Sequence, residues 1–219
     1  MDKKEEKKVK ENYHIGEMPD GHMEEKYEEL SSLKALKYFI HRDFWKINGR
    51  VTVKKFLISL LTEPGFKFVF WLRITRYFFL KGKKARLLFL ISRFILKHYS
   101  YKYEFDITYR TPIGPGLSIA HIGYCVVAAS KIGSNCFLRP GVVLGKNLTD
   151  NGATPVVGDN VHFGAGCKVI GNIYIGNNVV IGANAVVTHD VPSNTAVGGI
   201  PARQLKKLDG IIAHPNGEN

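Results

Sequence analysis

Along residues 157 to 187 a large aliphatic or aromatic residue recurs at every sixth position: Val157, Phe163, Val169, Ile175, Ile181 and Val187. Neither a helix nor a flat strand has that period. Glycine directly follows four of the six (Gly158, Gly164, Gly176, Gly182), and Asn or Gly stands two places further on (Asn160, Gly166, Asn178, Asn184). These residue types tolerate a left-handed backbone at a corner. Each hexad therefore predicts a short strand plus a turn. Stacked units of this kind bury one apolar side chain per strand in a shared interior, which gives a parallel β-helix of hexapeptide repeats. Upstream, Ile113 and Ile119 keep the six-residue phase and Cys125 takes the next slot, after which a one-residue slip resets it to Val126, Ile132, Leu138 and Leu144. Residues 145–156 (GKNLTDNGATPV) break the repeat with loop composition, a natural place for function on a rigid coil.

Before the coil the pattern is different. From Ser31 to about Tyr103, apolar residues fall at helical spacing among Lys and Arg, as in LKALKYFIHRDFW, VTVKKFLISLL, FKFVFWLRITRYFFL and ARLLFLISRFILKHY. This predicts three or four helices broken near Asn48 and Gly49, Pro64 and Gly65, and Gly82. The fold class is mainly β: a β-helix preceded by an α-helical N-terminal domain. The expected divisions are an arm at 1–30, a helical domain at 31–105, a coil domain at 106–202 and a tail at 203–219.

Charge sharpens that division. Residues 1–30 carry six basic and ten acidic groups, residues 31–105 carry seventeen and three, and residues 106–219 carry eight and six. The arm is too poor in large aliphatics to fold alone and reads as mobile or loosely helical. The basic, aromatic helices have two readings. They close the open end of the coil and pack on a copy in another subunit, or they lie on anionic lipid; both can hold at once, and closure has the first claim because a coil end must be covered. No nucleic-acid recognition motif accompanies the basic segment, and no nucleic-acid partner is expected. Cys125, Cys136 and Cys167 show no paired spacing and read as small buried thiols, without disulfide or metal roles. No secretory leader or run of eighteen apolar residues occurs, so a cytoplasmic protein is expected, at the inner membrane face if the helices touch lipid.

The segment FDITYRTPIGPGLSIAHIGYCVV, the hexads and the closing VTHDVPSNTAVGGIPAR together resemble the hexapeptide-repeat acyltransferases. Within them they are closest to the serine acetyltransferase-like branch that includes many capsular polysaccharide O-acetyltransferases. PGFKFVFWLR looks like the helical lead-in of the polysaccharide-modifying members, and the resemblance spans residues 64–207. It implies a left-handed coil, a homotrimer with a dimer of trimers open, and acetyl-CoA as co-substrate in the groove between subunits.

A lone histidine is more often structural than catalytic, but His121 has Asp106 fifteen residues upstream, close to one coil of eighteen. That spacing matches the Asp–His pair of the family. Imidazole suits proton removal from a hydroxyl near neutral pH, and a carboxylate behind it would fix its tautomer. The resemblance further implies a backbone amide near Gly145 for the oxyanion, with no cysteine nucleophile. It places Ala165 and Ala183 beside the pantetheine arm, Thr188 and His189 beside the cofactor, and Arg203 with Lys206 at its phosphates. The plain alternatives are corner residues for the two alanines and a solvated tail charge for Lys206. His162, His98, Trp45 and Trp71 are assigned to fold or interface.

The acceptor is where this chain departs from the serine-specific pattern. Ala120 stands where those enzymes have Asp, and Ala153 with Thr154 stand where they have an Arg–His pair. A zwitterion would lose charged partners, which is costly in a buried site. The expected acceptor is therefore a sugar hydroxyl of a bacterial surface polysaccharide or its precursor. Serine O-acetylation for cysteine biosynthesis is the alternative, and a non-catalytic scaffold binding a membrane or protein is the rival from another class.

Overall fold

In the computed structural model residues 30–48, 52–147 and 152–210 are described. The expected arm, apart from Leu30, and the tail beyond residue 210 lie outside them. Among the described residues four helices precede the coil: α1 (Leu33–Asn48), α2 (Val53–Thr62), α3 (Pro64–Leu80) and α4 (Arg86–Tyr103), with a 3-10 turn at Gly82–Ala85 between the last two. Ser32 starts α1, its hydroxyl accepting from the Ala35 amide at 3.0 Å, and Thr52 caps α2 in the same way through Lys55. Pro64 does not interrupt a helix; it opens α3 at the first turn, where its missing N–H costs nothing. Glu104 ends α4 in a left-handed conformation.

Three faces build the coil. The first sheet stacks β1 (Phe105–Ile107), β3 (Cys125–Val127), β6 (Val143–Gly145), β9 (Lys168–Ile170) and β12 (Val186–Val187). The second stacks β4 (Lys131–Ile132), β7 (Val156–Val157) and β10 (Tyr174–Ile175). The third stacks β2 (Ser118–Ile119), β5 (Phe137–Leu138), β8 (His162–Phe163), β11 (Val179–Ile181), β13 (Thr195–Gly199) and β14 (Ala202–Lys207). All pairings are parallel except β13 with β14.

Each face sends one column of side chains inward. On the first face the register aligns Ile107, Val127, Leu144, Val169 and Val187, all buried. This corrects one detail of the pattern: Val127, and not Val126, fills the slot, while Val126 pairs with Asp106 and Val143 and stays half-buried. The corners behave as their residue types require. Asn160, Asn178 and Asn194 have φ of 54°, 55° and 57°, and their amides form a ladder at 2.9 and 2.7 Å. Gly164 serves a different purpose, because a Cβ there would collide with the backbone of Gly182 and Ala183 one coil on.

The helices close the first coil. Phe68, Val69 and Leu72 of α3 and Leu96 and Tyr103 of α4 belong to the same buried cluster as the coil interior. A buried ion pair fixes this junction. Arg73 Nε donates to Asp43 at 2.8 Å and Nη2 donates at 3.0 Å, while the guanidinium also donates to the carbonyls of Ile113 and Gly114, both at 2.6 Å. The Asp43 carboxylate in turn accepts from the amides of Gly116 and Leu117 at 2.8 and 2.9 Å. Asp43→Ala leaves a guanidinium that is 1% exposed without its counter-charge. A loss of about 3–5 kcal/mol is expected in urea unfolding, whereas a loss below about 1 kcal/mol would show that the pair is solvated.

Candidate active site

His121 sits at the corner between β2 and β3, which is one residue longer than the corners stacked on it. Residues 120–124 make this connection, against 139–142 between β5 and β6 and 164–167 between β8 and β9. The extra length puts His121 in the left-handed region at φ 60°, which histidine tolerates better than most residues. Its ring is exposed. It borders a cleft of about 400 Å³ with the coil on one side (Ser118, Ala120, Phe137, Arg139) and the junction of α2 and α3 on the other (Thr62, Glu63, Gly65). The two walls meet closely because Gly65 packs against the Ile119 carbonyl, where any Cβ would collide.

Two charges in this cleft escaped the sequence reading. Glu63 ends α2, its amide donating to the Ser59 carbonyl at 2.8 Å and its carboxylate accepting from the Ser59 hydroxyl at 3.2 Å. Arg139 lies with its guanidinium 5.5 Å from the Phe137 ring centroid. Among the described residues neither has an ion-pair partner. Glu63 comes from a helical segment far from the repeat in sequence. Arg139 lay in plain view as a cation in an otherwise small-residue corner.

The other candidate residues are spread over β1, both edges of the first sheet and β14 of the third. Asp106 is exposed at the middle of β1, where it pairs with Val126 of β3, and His121 lies in the corner that leads into that strand. Among the described residues no hydrogen bond joins it to His121. Ala165 and Ala183 are exposed in the corners between β8 and β9 and between β11 and β12, stacked through the Asn184 amide and the Ala165 carbonyl at 2.8 Å. They share an edge with His121. Gly145 ends β6 at the opposite edge. Thr154 is held there too, 2.8 Å from the Ser130 hydroxyl just past β3. Thr188 and His189 follow β12 at that far edge, 3.0 Å apart. His189 and Arg203 line a separate hollow of about 260 Å³ with Val187, Pro192, Thr195 and Val197. Lys206 is exposed on β14 opposite Ala196. Within one chain, the residues assigned to acetyl-CoA do not form one pocket.

Electrostatics separates the remaining groups from chemistry. Burial pushes all three cysteine thiols up to about 12, so none supplies a thiolate. His162 packs 5.8 Å from Phe137, and burial, then the charges of Lys46 and Arg139, lower it to about 4. Trp71 packs on the main core, Trp45 lies under Arg42 at 5.3 Å and His98 meets Tyr99 edge-on at 5.2 Å, all contacts of fold.

Known proteins share this architecture. The bacterial transferase hexapeptide family (six repeats) matches residues 154–189. A serine acetyltransferase of Synechococcus elongatus is 36% identical over 71% of this chain and 62% of its own length. One from Staphylococcus xylosus is 37% identical, covering 68% of each. Against the first of these, the chain spans less than two thirds of its relative. The solved serine acetyltransferase of Neisseria gonorrhoeae in complex with serine superposes with a TM-score of 0.66 at 29% identity, covering 80% of this chain and 70% of that one. These findings overturn the expected glycan acceptor, because the relatives and the structure alike are serine acetyltransferases.

The lowered His162 has a measurable consequence. In the folded protein it stays neutral down to about pH 4, whereas the unfolded chain takes up the proton near 6.5. The unfolded state binds more protons in that window, so stability falls as pH drops from 6.5 towards 4. His162→Asn is expected to flatten this part of the Tm-against-pH curve; an unchanged slope would assign the loss to other groups.

Proposed function

The chain belongs to the serine acetyltransferase family of hexapeptide-repeat transferases, and we propose that it transfers the acetyl group of acetyl-CoA to the hydroxyl of L-serine. The observation that carries this reading is the composition of the cleft beside His121: one base, one carboxylate and one guanidinium face the same space. A free amino acid presents an ammonium and a carboxylate beside the reacting hydroxyl. Glu63 is matched to the first and Arg139 to the second, leaving the hydroxyl to His121. Ser59 holds the Glu63 carboxylate from behind.

His121 removes the hydroxyl proton as the serine oxygen attacks the thioester carbonyl. The tetrahedral oxyanion is stabilised by a backbone amide near Gly145. Collapse expels the CoA thiolate, which takes the proton back from the imidazolium. Asp106 is the carboxylate that would steady that imidazolium, drawn in from the adjacent strand. The placement of Gly145, Thr154, Thr188 and His189 at the edge away from His121 supports a homotrimer. In such an assembly the far edge of one copy faces the His121 edge of the next, and acetyl-CoA lies between them along Ala165 and Ala183. Arg203 and Lys206 are then the cations available to its phosphates.

Thiol release from acetyl-CoA tests the reading. With L-serine the wild type is expected to turn over, and His121→Ala to lose about 10²–10⁴-fold in kcat. Glu63→Gln and Arg139→Gln are expected to raise KM for serine by about 10-fold or more, as loss of a charged hydrogen bond does, with kcat changed far less. No release with serine in the wild type would remove the acceptor. Full activity in His121→Ala would remove the base, and unchanged KM values would remove the two charges from recognition.

A further inference from the structure

Helix α4 buries Leu96 and Tyr103 but turns a second set of apolar residues outward. Ser92 is buried at 2% exposure, while Leu87, Leu88, Leu90, Ile91 and Phe94 are 70, 51, 48, 51 and 78% exposed. Leu87, Ile91, Phe94 and Tyr101 recur at helical spacing, so they form one stripe along the outer side. Phe79 and Leu80, at the end of α3, are exposed immediately before the 3-10 turn that leads into α4. Cations surround the stripe: Lys81, Lys83, Lys84, Arg86, Arg93 and Lys97 are all exposed. Between Glu63 and Glu104 the sequence holds ten Lys and Arg and no carboxylate. A contiguous exposed apolar surface of this kind marks an interaction site.

We infer that this face docks on an anionic lipid surface. Its apolar stripe enters the boundary between headgroups and acyl chains, and the flanking cations reach the phosphates. Among the described residues no helix is long and apolar enough to cross a membrane, so the contact is an interfacial one. Charge decides between occupants. A second copy meeting this face about a two-fold axis would bring a segment rich in Lys and Arg, and without a carboxylate between Glu63 and Glu104, onto its own copy, and like charges brought together at a contact are costly. Residues 1–29 carry ten acidic groups but few large aliphatics, so they match the charge and not the stripe. A bilayer supplies both fixed apolar depth and mobile phosphates. The inference does not depend on which acceptor the enzyme uses.

Flotation of the full chain with vesicles tests it, using phosphatidylcholine alone and phosphatidylcholine with roughly a third phosphatidylglycerol. Binding is expected only to the anionic vesicles and is expected to weaken in high salt. The double variant Lys83→Glu with Lys84→Glu is expected to lower partition more than about tenfold, given about fivefold per cation at such a surface. Ile91→Ser with Phe94→Ser, two exposed positions, is expected to abolish it while circular dichroism stays that of the wild type. Failure of the wild type to float with anionic vesicles overturns the inference, as does wild-type partition in both variants. A smaller assembly for the Ile91→Ser, Phe94→Ser variant in analytical ultracentrifugation also overturns it, assigning the stripe to a contact between copies.

Discussion

The ion pair between Arg73 and Asp43 is the joint on which the arrangement of this molecule turns. It is buried, and burying two charges is costly unless every donor and acceptor is met. Here the carboxylate takes the guanidinium and two coil amides, and the guanidinium reaches two coil carbonyls besides. The pair thus links α1, α3 and the first turn of the coil, residues 113–117, in one polar node. The position of α3 fixes that of Pro64, Gly65 and Glu63, and with them the wall of the cleft facing His121. A charged interaction outside the cleft lining therefore helps to set the shape of the space beside His121.

The coil was legible in the sequence because its determinants are local and repeated. One inward side chain recurs in each hexad, with a glycine where the next coil presses close and an Asn or Gly where φ turns positive in four of the six, and each has its own physical reason. The helix breaks were legible for similar reasons, with Pro64 at a first turn and Gly82 in the link. The phase around Cys125 was less so. Apolar residues stand at 125, 126 and 127, and the strand buries Cys125 and Val127 while Val126 is half-buried.

The candidate site was half legible. His121 and Asp106 were singled out by a spacing near that of a coil, although the register sets Asp106 beside Val126 and leaves His121 in the corner ahead of β3. Glu63 was not, because nothing local distinguishes a glutamate that ends one helix from one that faces a cleft; its place follows from the packing of α2 and α3 on the coil. The charges near His121 along the chain are not all those of the cleft, because the fold brings Glu63 to it from the helices. The separation of Ala165 and Ala183 from Gly145, Thr188 and His189 has a similar origin, since a coil holds its corners a strand apart.

The antiparallel pairing of β14 on β13 carries a consequence for solubility. A parallel coil ends in strands with unsatisfied backbone groups, and two such ends can in principle join into a fibre. At one end of this chain the helices cover the opening. At the other, the strand reverses and lays Arg203, Lys206 and Lys207 along the outermost edge. Growth by end-to-end stacking would have to bring those cations onto another strand, so the chain carries its own terminator against runaway polymerisation.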